Sequence, residues 1–169
     1  MAENGTYAAN DWIVHSQYGI GQIQRIEIKE ISGEETRYYK VKTNDSLFWM
    51  PVDQMDDDVI RPLFTPEEIE AAITILQNPA KEMSADYKIR QNRIQDSREQ
   101  NTPQSIARIV RDLQARKDAK GVLNSSERNA FLSLKERLVT EWSIVMGLDT
   151  VEVEAKLDAL LDSEIPAAK

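Results

Sequence analysis

Between residues 11 and 63 the chain is a series of short apolar and aromatic runs with turn residues between them, and after Thr65 its pattern is helical throughout. This division constrains the fold more than any other feature. Strands bury side chains with a period of two and helices with a period of about 3.6, and one segment cannot satisfy both. The β-type runs are Trp12 to His15, Ile20 to Ile28, Arg37 to Thr43, Leu47 to Met50 and Ile60 to Leu63. Gln17-Tyr18-Gly19, Ser32-Gly33-Glu34-Glu35 and Asn44-Asp45-Ser46 punctuate them, and Pro51 ends the fourth. Gly19 and Gly21 predict a bulge or a sharp bend, and so does Ile23, which is out of phase with Ile26 and Ile28. Short strands at regular spacing predict a small SH3-like or Tudor-like β-barrel. A barrel of about fifty residues is marginal alone and gains from a partner or from packing on helices.

The helical half carries clear start and stop signals. Thr65-Pro66-Glu67-Glu68 opens a helix running to about Gln77, where Asn78-Pro79 stops it. A second helix is expected from about Ser84 to Gln100, with Ile89 and Ile94 toward the core. Thr102-Pro103 opens a third, in which Ile106, Ile109, Val110 and Leu113 recur at i, i+3, i+4 and i+7, and Gly121 ends it. Asn124-Ser125-Ser126-Glu127 opens a fourth, whose apolar face includes Phe131, Leu134, Leu138, Trp142 and Val145. Asp149-Thr150-Val151-Glu152 caps a fifth, with Leu157, Leu160 and Leu161 inward. The expected class is α+β in two domains: a flexible N-terminus at 1–10, a barrel at 11–64, an all-α domain of about five helices at 65–163 and a flexible C-terminus at 164–169.

Composition removes most chemistry. The chain of 169 residues has no cysteine, which excludes disulfides, thiolate nucleophiles and cysteine-based metal sites. His15 is its one histidine and lies beside a predicted turn, so a structural role is favoured over catalysis. A zinc site needs more ligands than exist, and Asp56-Asp57-Asp58 reads as a solvated acidic loop more readily than as a cation site. Neither a P-loop nor a Gly-x-Gly-x-x-Gly motif is present. No catalytic residue, cofactor, metal or small-molecule substrate is expected. No apolar run approaches the roughly 18 residues of a membrane span, and residues 1–10 lack a signal-peptide pattern, so a cytoplasmic protein with no membrane partner is expected.

The net charge of -8 argues at face value against nucleic acid, but its distribution is uneven. Residues 81–120 hold ten basic and six acidic side chains, whereas residues 1–80 hold six basic and fourteen acidic. Local sign outweighs the total because charges are screened beyond about 8 Å at cellular salt. In the second helix Tyr87, Lys88, Arg90, Arg93 and Arg98 interleave cations with an aromatic, a pattern that suits phosphates and a base step. The competing reading is a solvated charged helix with a half-buried tyrosine.

The His15-x-x-Tyr18-Gly19-x-Gly21 turn, the Ile-Glu strand after it, Tyr38-Tyr39, the strand entering Pro51-Val52 and Arg61-Pro62-Leu63 together resemble the RNA-polymerase-interacting domain of the CarD/CdnL family of bacterial transcription regulators. A similar module occurs in the transcription-repair coupling factor. The resemblance continues through Ile109-Val110-Arg111-Asp112-Leu113 and Gly121 to Glu127, so it covers about residues 10–162 and not the barrel alone. It implies a non-enzymatic regulator. Its barrel binds the RNA polymerase β subunit through an exposed strand, and its helical domain contacts promoter DNA at the upstream edge of the transcription bubble and stabilises the open complex. Lys29 and Trp49 match polymerase-contacting positions, and Trp49 stands where arginine is common. The Leu47 to Met50 strand makes Leu47 and Met50 further candidates. Ungapped alignment from Arg111-Asp112-Leu113 places Tyr87 at the family's wedge tryptophan and Lys88 and Arg90 in its basic patch, with Arg93 beside them. The alternative is a polymerase-binding adaptor with no DNA contact.

Overall fold

A computed structural model describes residues 7–53 and 59–162, and the chain divides after Leu63 into two compact units. The first is one antiparallel sheet of β1 (Trp12–His15), β2 (Gly19–Ile31), β3 (Glu34–Lys42), β4 (Leu47–Pro51) and β5 (Ile60–Pro62), ordered β4-β3-β2-β1-β5. It is a Tudor-like domain, and an all-α unit follows it. The β2–β3 hairpin is longer than its apolar runs predict. Ser32 and Gly33 both take positive φ (55° and 82°) and join Ile31 directly to Glu34. A two-residue turn of that kind matches the twist of its strands, so pairing reaches the tip.

The expected bulge lies between Ile23 and Arg25, where the β2–β3 register shifts. It leaves Ile23 inward opposite Val41 and sets Arg25 outward opposite Lys40. Gly21 marks a close approach: a Cβ there would lie 2.6 Å from Val41 Cγ1 and 3.3 Å from the Lys42 carbonyl oxygen. The core comprises Ile13, Ile23, Tyr39, Val41, Met50 and Ile60. Residues 7–10, expected to fray, are tied to this sheet. The Tyr7 backbone N–H donates to Tyr39 Oη (2.9 Å) and the Asn10 N–H to the Ile23 carbonyl (2.7 Å).

The second unit contains α1 (Pro66–Gln77), α2 (Tyr87–Gln100), α3 (Pro103–Lys120), α4 (Ser125–Met146) and α5 (Thr150–Leu161). Capping boxes start α1 at Thr65 and Glu68, α3 at Thr102 and Ser105, and α4 at Asn124 and Glu127. Gly121 and Gly147 end α3 and α4 in the left-handed conformation. The α3 stripe of Ile106, Ile109, Val110 and Leu113 is fully buried, packed with Ile69, Leu134, Leu138, Trp142 and Leu157 among others.

Helix α2 is built differently. It begins at Tyr87 and not near Ser84, because Asp86 caps it by accepting from the N–H groups of Lys88 (2.8 Å) and Ile89 (3.3 Å). Its buried residues are Arg90, Ile94 and Ser97, spaced i, i+4 and i+7. The phase set by these three turns Ile89 outward, 55% exposed, against the expectation that it faces the core.

The close approach at Gly21 generates a prediction. Gly21→Ala should destabilise the protein by about 1–3 kcal/mol through overpacking against Val41. Adding Val41→Ala should give a smaller loss than the two single losses summed, as measured by urea unfolding.

Candidate functional site

The sheet presents one organised outer face across β2, β3 and β4. β4 is an edge strand, paired only to β3 among the described residues. Its alternation points Leu47 and Trp49 outward and Phe48 and Met50 inward. Met50, expected beside Trp49 on the contact surface, is 6% exposed and belongs to the core, since neighbouring residues on a strand face opposite sides.

Trp49 is held from several directions. Its indole N–H donates to Glu27 Oε2 at 2.9 Å, and Lys29 Nζ sits 3.8 Å from the ring centroid, with Lys40 Nζ at 5.9 Å. The other Glu27 oxygen takes Arg25 Nε at 2.8 Å and Arg25 Nη2 at 2.7 Å, with Lys40 Nζ at 3.8 Å. The Trp49 hydrogen bond, then that of Arg25, then the charges of Arg25 and Lys40 hold the Glu27 carboxyl below its ordinary range against a smaller opposing effect of burial. Lys29, Leu47 and Trp49 thus share one face, and Glu27 was not foreseen. Its signal lay in the alternation Arg25, Glu27, Lys29, but its meeting with Trp49 depends on strand register. Beside these residues Gln24, Arg25, Lys40, Lys42 and the 43–47 turn line an open depression.

The start of α2 presents Tyr87, 55% exposed, and the exposed Lys88. Arg90 and Arg93 are engaged with carboxylates instead, although Arg90 Cζ also lies 5.8 Å from the Tyr87 ring centroid. Arg90 is 6% exposed. Its Nε donates to Glu127 Oε1 at 2.6 Å and its Nη1 to the carbonyls of Ser84 (3.0 Å) and Ala85 (2.8 Å). Arg93 Nη2 donates to Asp112 Oδ2, while Asp112 Oδ1 accepts from Arg111 Nε (2.8 Å) and the Lys81 backbone N–H (2.9 Å). Arg116 Nε lies 3.4 Å from Glu127 Oε1. Arg90 is therefore an internal strut, whereas Arg93 is half-buried and tied at the surface to a buried carboxylate. Their carboxylate partners lie on α3 and α4, which the periodicity of α2 cannot reveal.

The local basic excess is mostly consumed inside the fold. Of the ten cations in 81–120, Arg90, Arg93, Arg111 and Arg116 pair with the buried Asp112 and Glu127. Lys81, Lys88, Arg98, Arg108, Lys117 and Lys120 remain, against Glu82, Asp86, Asp96, Glu99 and Asp118.

His15 is part of the β1–β2 turn. Its Nδ1 accepts from the N–H groups of Gln17 (3.0 Å) and Tyr18 (3.2 Å), and its ring lies 4.6 Å from that of Tyr18. Asp56-Asp57-Asp58 lies outside the described residues. Among the described residues, no group of three or more His, Asp or Glu is placed to hold a metal ion, and no helix is long and apolar enough to cross a membrane.

Comparison with known proteins agrees with this two-part architecture. Residues 7–64 match the family model for the CarD-like/TRCF RID domain, and residues 71–158 match that for the CarD C-terminal domain. Over 151 residues, covering 88% of this chain and 98% of the relative, the chain is 26% identical to a Bacillus subtilis (strain 168) protein named "Putative transcription factor YdeB".

The Glu127 cluster generates a prediction about stability and pH. Burial by itself would raise the Glu127 carboxyl, but the hydrogen bonds from Arg90 and the Asn124 backbone, with the charges of Arg116 and Arg90, outweigh it and the carboxyl is held low. Its stabilising contribution is therefore complete above the ordinary glutamate value of about 4.3 and is lost as pH falls through the lower folded value. Glu127→Ala, which strands Arg90 in the interior, should cost about 3–5 kcal/mol at neutral pH, and the deficit should shrink as pH falls below about 4. Denaturant unfolding of both proteins across that pH range measures it.

Proposed function

The chain belongs to the CarD-like family of transcription factors, and from that premise we propose that it is a non-enzymatic regulator that binds the RNA polymerase β subunit through its Tudor-like domain. The observation that carries this reading is Trp49, exposed on an edge strand and fixed by Glu27 and Lys29. Edge strands accept a partner strand through main-chain hydrogen bonds, and side chains on the adjacent face supply specificity. Leu47 and Trp49 provide apolar contact, and Lys29 provides charge. Met50 contributes backbone only. Trp49→Asp should abolish retention of RNA polymerase core enzyme in a pull-down while the protein stays folded by circular dichroism. Undiminished retention would place the interface elsewhere.

We further propose that the helical domain contacts promoter DNA at the upstream edge of the bubble and stabilises the open complex, with Tyr87 as the wedge and Lys88 on a phosphate. Both are exposed at the start of a capped helix. Supporting an opened junction offsets an unstacking cost of a few kcal/mol, and tyrosine supplies less apolar area than tryptophan. On a linear promoter, Tyr87→Ala should shorten open-complex lifetime and Tyr87→Trp should lengthen it, with polymerase binding unchanged.

A second reading, an adaptor on polymerase without DNA contact, is favoured by the pairing of Arg90 and Arg93 with buried carboxylates. The two readings separate on salt dependence. With only Lys88 and one or two further cations on phosphates, the protein's contribution to forked-DNA affinity in the polymerase complex should fall with a log–log slope of about -2 to -3. A slope of zero, with equal lifetimes for the Tyr87 variants, favours the adaptor.

A further inference from the structure

We propose that Glu27 is a positioning residue for partner binding, holding Trp49, Arg25 and Lys40 in a single arrangement before the partner arrives. This rests on reading the β2–β3–β4 face as the polymerase-binding surface and deepens it by adding the residue that prepares that surface.

Trp49 is 38% exposed on an edge strand, with no strand beyond it among the described residues to restrain its ring. Its one polar atom is the indole N–H, a donor with no acceptor capacity. Glu27 meets that donor from two strands away, with Oε2 at 2.9 Å. The two carboxylate oxygens divide their work, because Oε1 takes Arg25 at 2.7 Å and Lys40 at 3.8 Å. One side chain thereby couples β2, β3 and β4. Lys29 closes the arrangement, its Nζ 3.8 Å from the ring centroid.

Removing the carboxylate has two effects. The ring regains its rotamers, and Arg25, Lys29 and Lys40 are left as neighbouring like charges that move apart. Ordering a side chain at the moment of binding costs affinity, so a surface ordered beforehand binds more tightly with no new contact. Per ordered side chain this amounts to about two- to tenfold in Kd. Neutralising the cations is a separate role from orienting the indole, and two variants distinguish them. Glu27→Gln keeps a carbonyl acceptor for the indole N–H and loses the charge, whereas Glu27→Leu loses both.

The test combines affinity with a local spectroscopic readout on the full chain. Affinity for RNA polymerase core enzyme should fall in the order wild type, Glu27→Gln, Glu27→Leu, with the last about three- to tenfold weaker than wild type. The Trp49 indole N–H resonance, identified by its loss in Trp49→Phe, should shift in Glu27→Leu while the remaining amide resonances of the sheet stay in place. In wild type it should also move in acid as the carboxylate protonates, and it should not do so in Glu27→Gln. The charged groups facing Glu27 are Arg25 and Lys29 on its own strand and Lys40 on β3, with Tyr38 opposite it. Wild-type affinity in Glu27→Leu alongside lost binding in Trp49→Asp would overturn the positioning role and leave the polymerase surface standing. Full binding by Trp49→Asp would overturn the surface itself and the positioning role with it. An unmoved indole resonance in Glu27→Leu would show that Glu27 does not orient the ring.

Discussion

Two buried carboxylates decide where α2 lies. Asp112 and Glu127 are almost fully buried, on α3 and at the start of α4, and each is met by an α2 arginine. The helix has little else to dock with, since Ile94 is its one large apolar side chain in the core. Apolar packing is non-directional, and a helix with a broad greasy face can often rotate or slide at modest penalty. A helix held by charge-assisted hydrogen bonds has far less freedom, because its arginines must meet particular oxygens. Arg90 extends this control into the lead-in by donating to the carbonyls of Ser84 and Ala85. The direction in which Tyr87 leaves the helix start is therefore fixed from beneath by the same guanidinium that neutralises Glu127.

The outer face of the sheet follows a related rule at the surface. There a single carboxylate also collects cations, but with an indole as one of its donors. In both units an acid whose decisive partners lie far from it in sequence sets the geometry of residues that look functional in isolation.

Much of the fold was legible in the sequence because its signals are local. Thr65-Pro66-Glu67-Glu68 and Asn124 to Glu127 state their capping boxes within four residues, and the α3 stripe is complete within eight. The turn at Ser32-Gly33 was visible, but its tightness was not, because serine rarely takes the positive φ that it has here. The candidate site was legible only in part. Trp49 follows from strand alternation, and the same alternation already argues against Met50 beside it. Arg90 and Arg93 are another matter: a solvated arginine and one paired to a buried acid look identical in sequence when that acid is 37 or 19 residues away. A hint did exist, since a helix of 14 residues whose large aliphatic side chains are Ile89 and Ile94 alone has little apolar surface to pack with.

Among the described residues the order β4-β3-β2-β1-β5 leaves the sheet with two open ends, and each end strand stops at a proline, Pro51 or Pro62. An open end is a template for any extended chain, including another copy of the same protein. Proline has no N–H to offer, and the end strands are only five and three residues long, so either end can make no more than a few backbone bonds. That is too little to hold a sheet-to-sheet fibre together. Backbone pairing, which is blind to sequence, is limited to a few bonds at either end, and the choice of companion passes to the side chains that flank it.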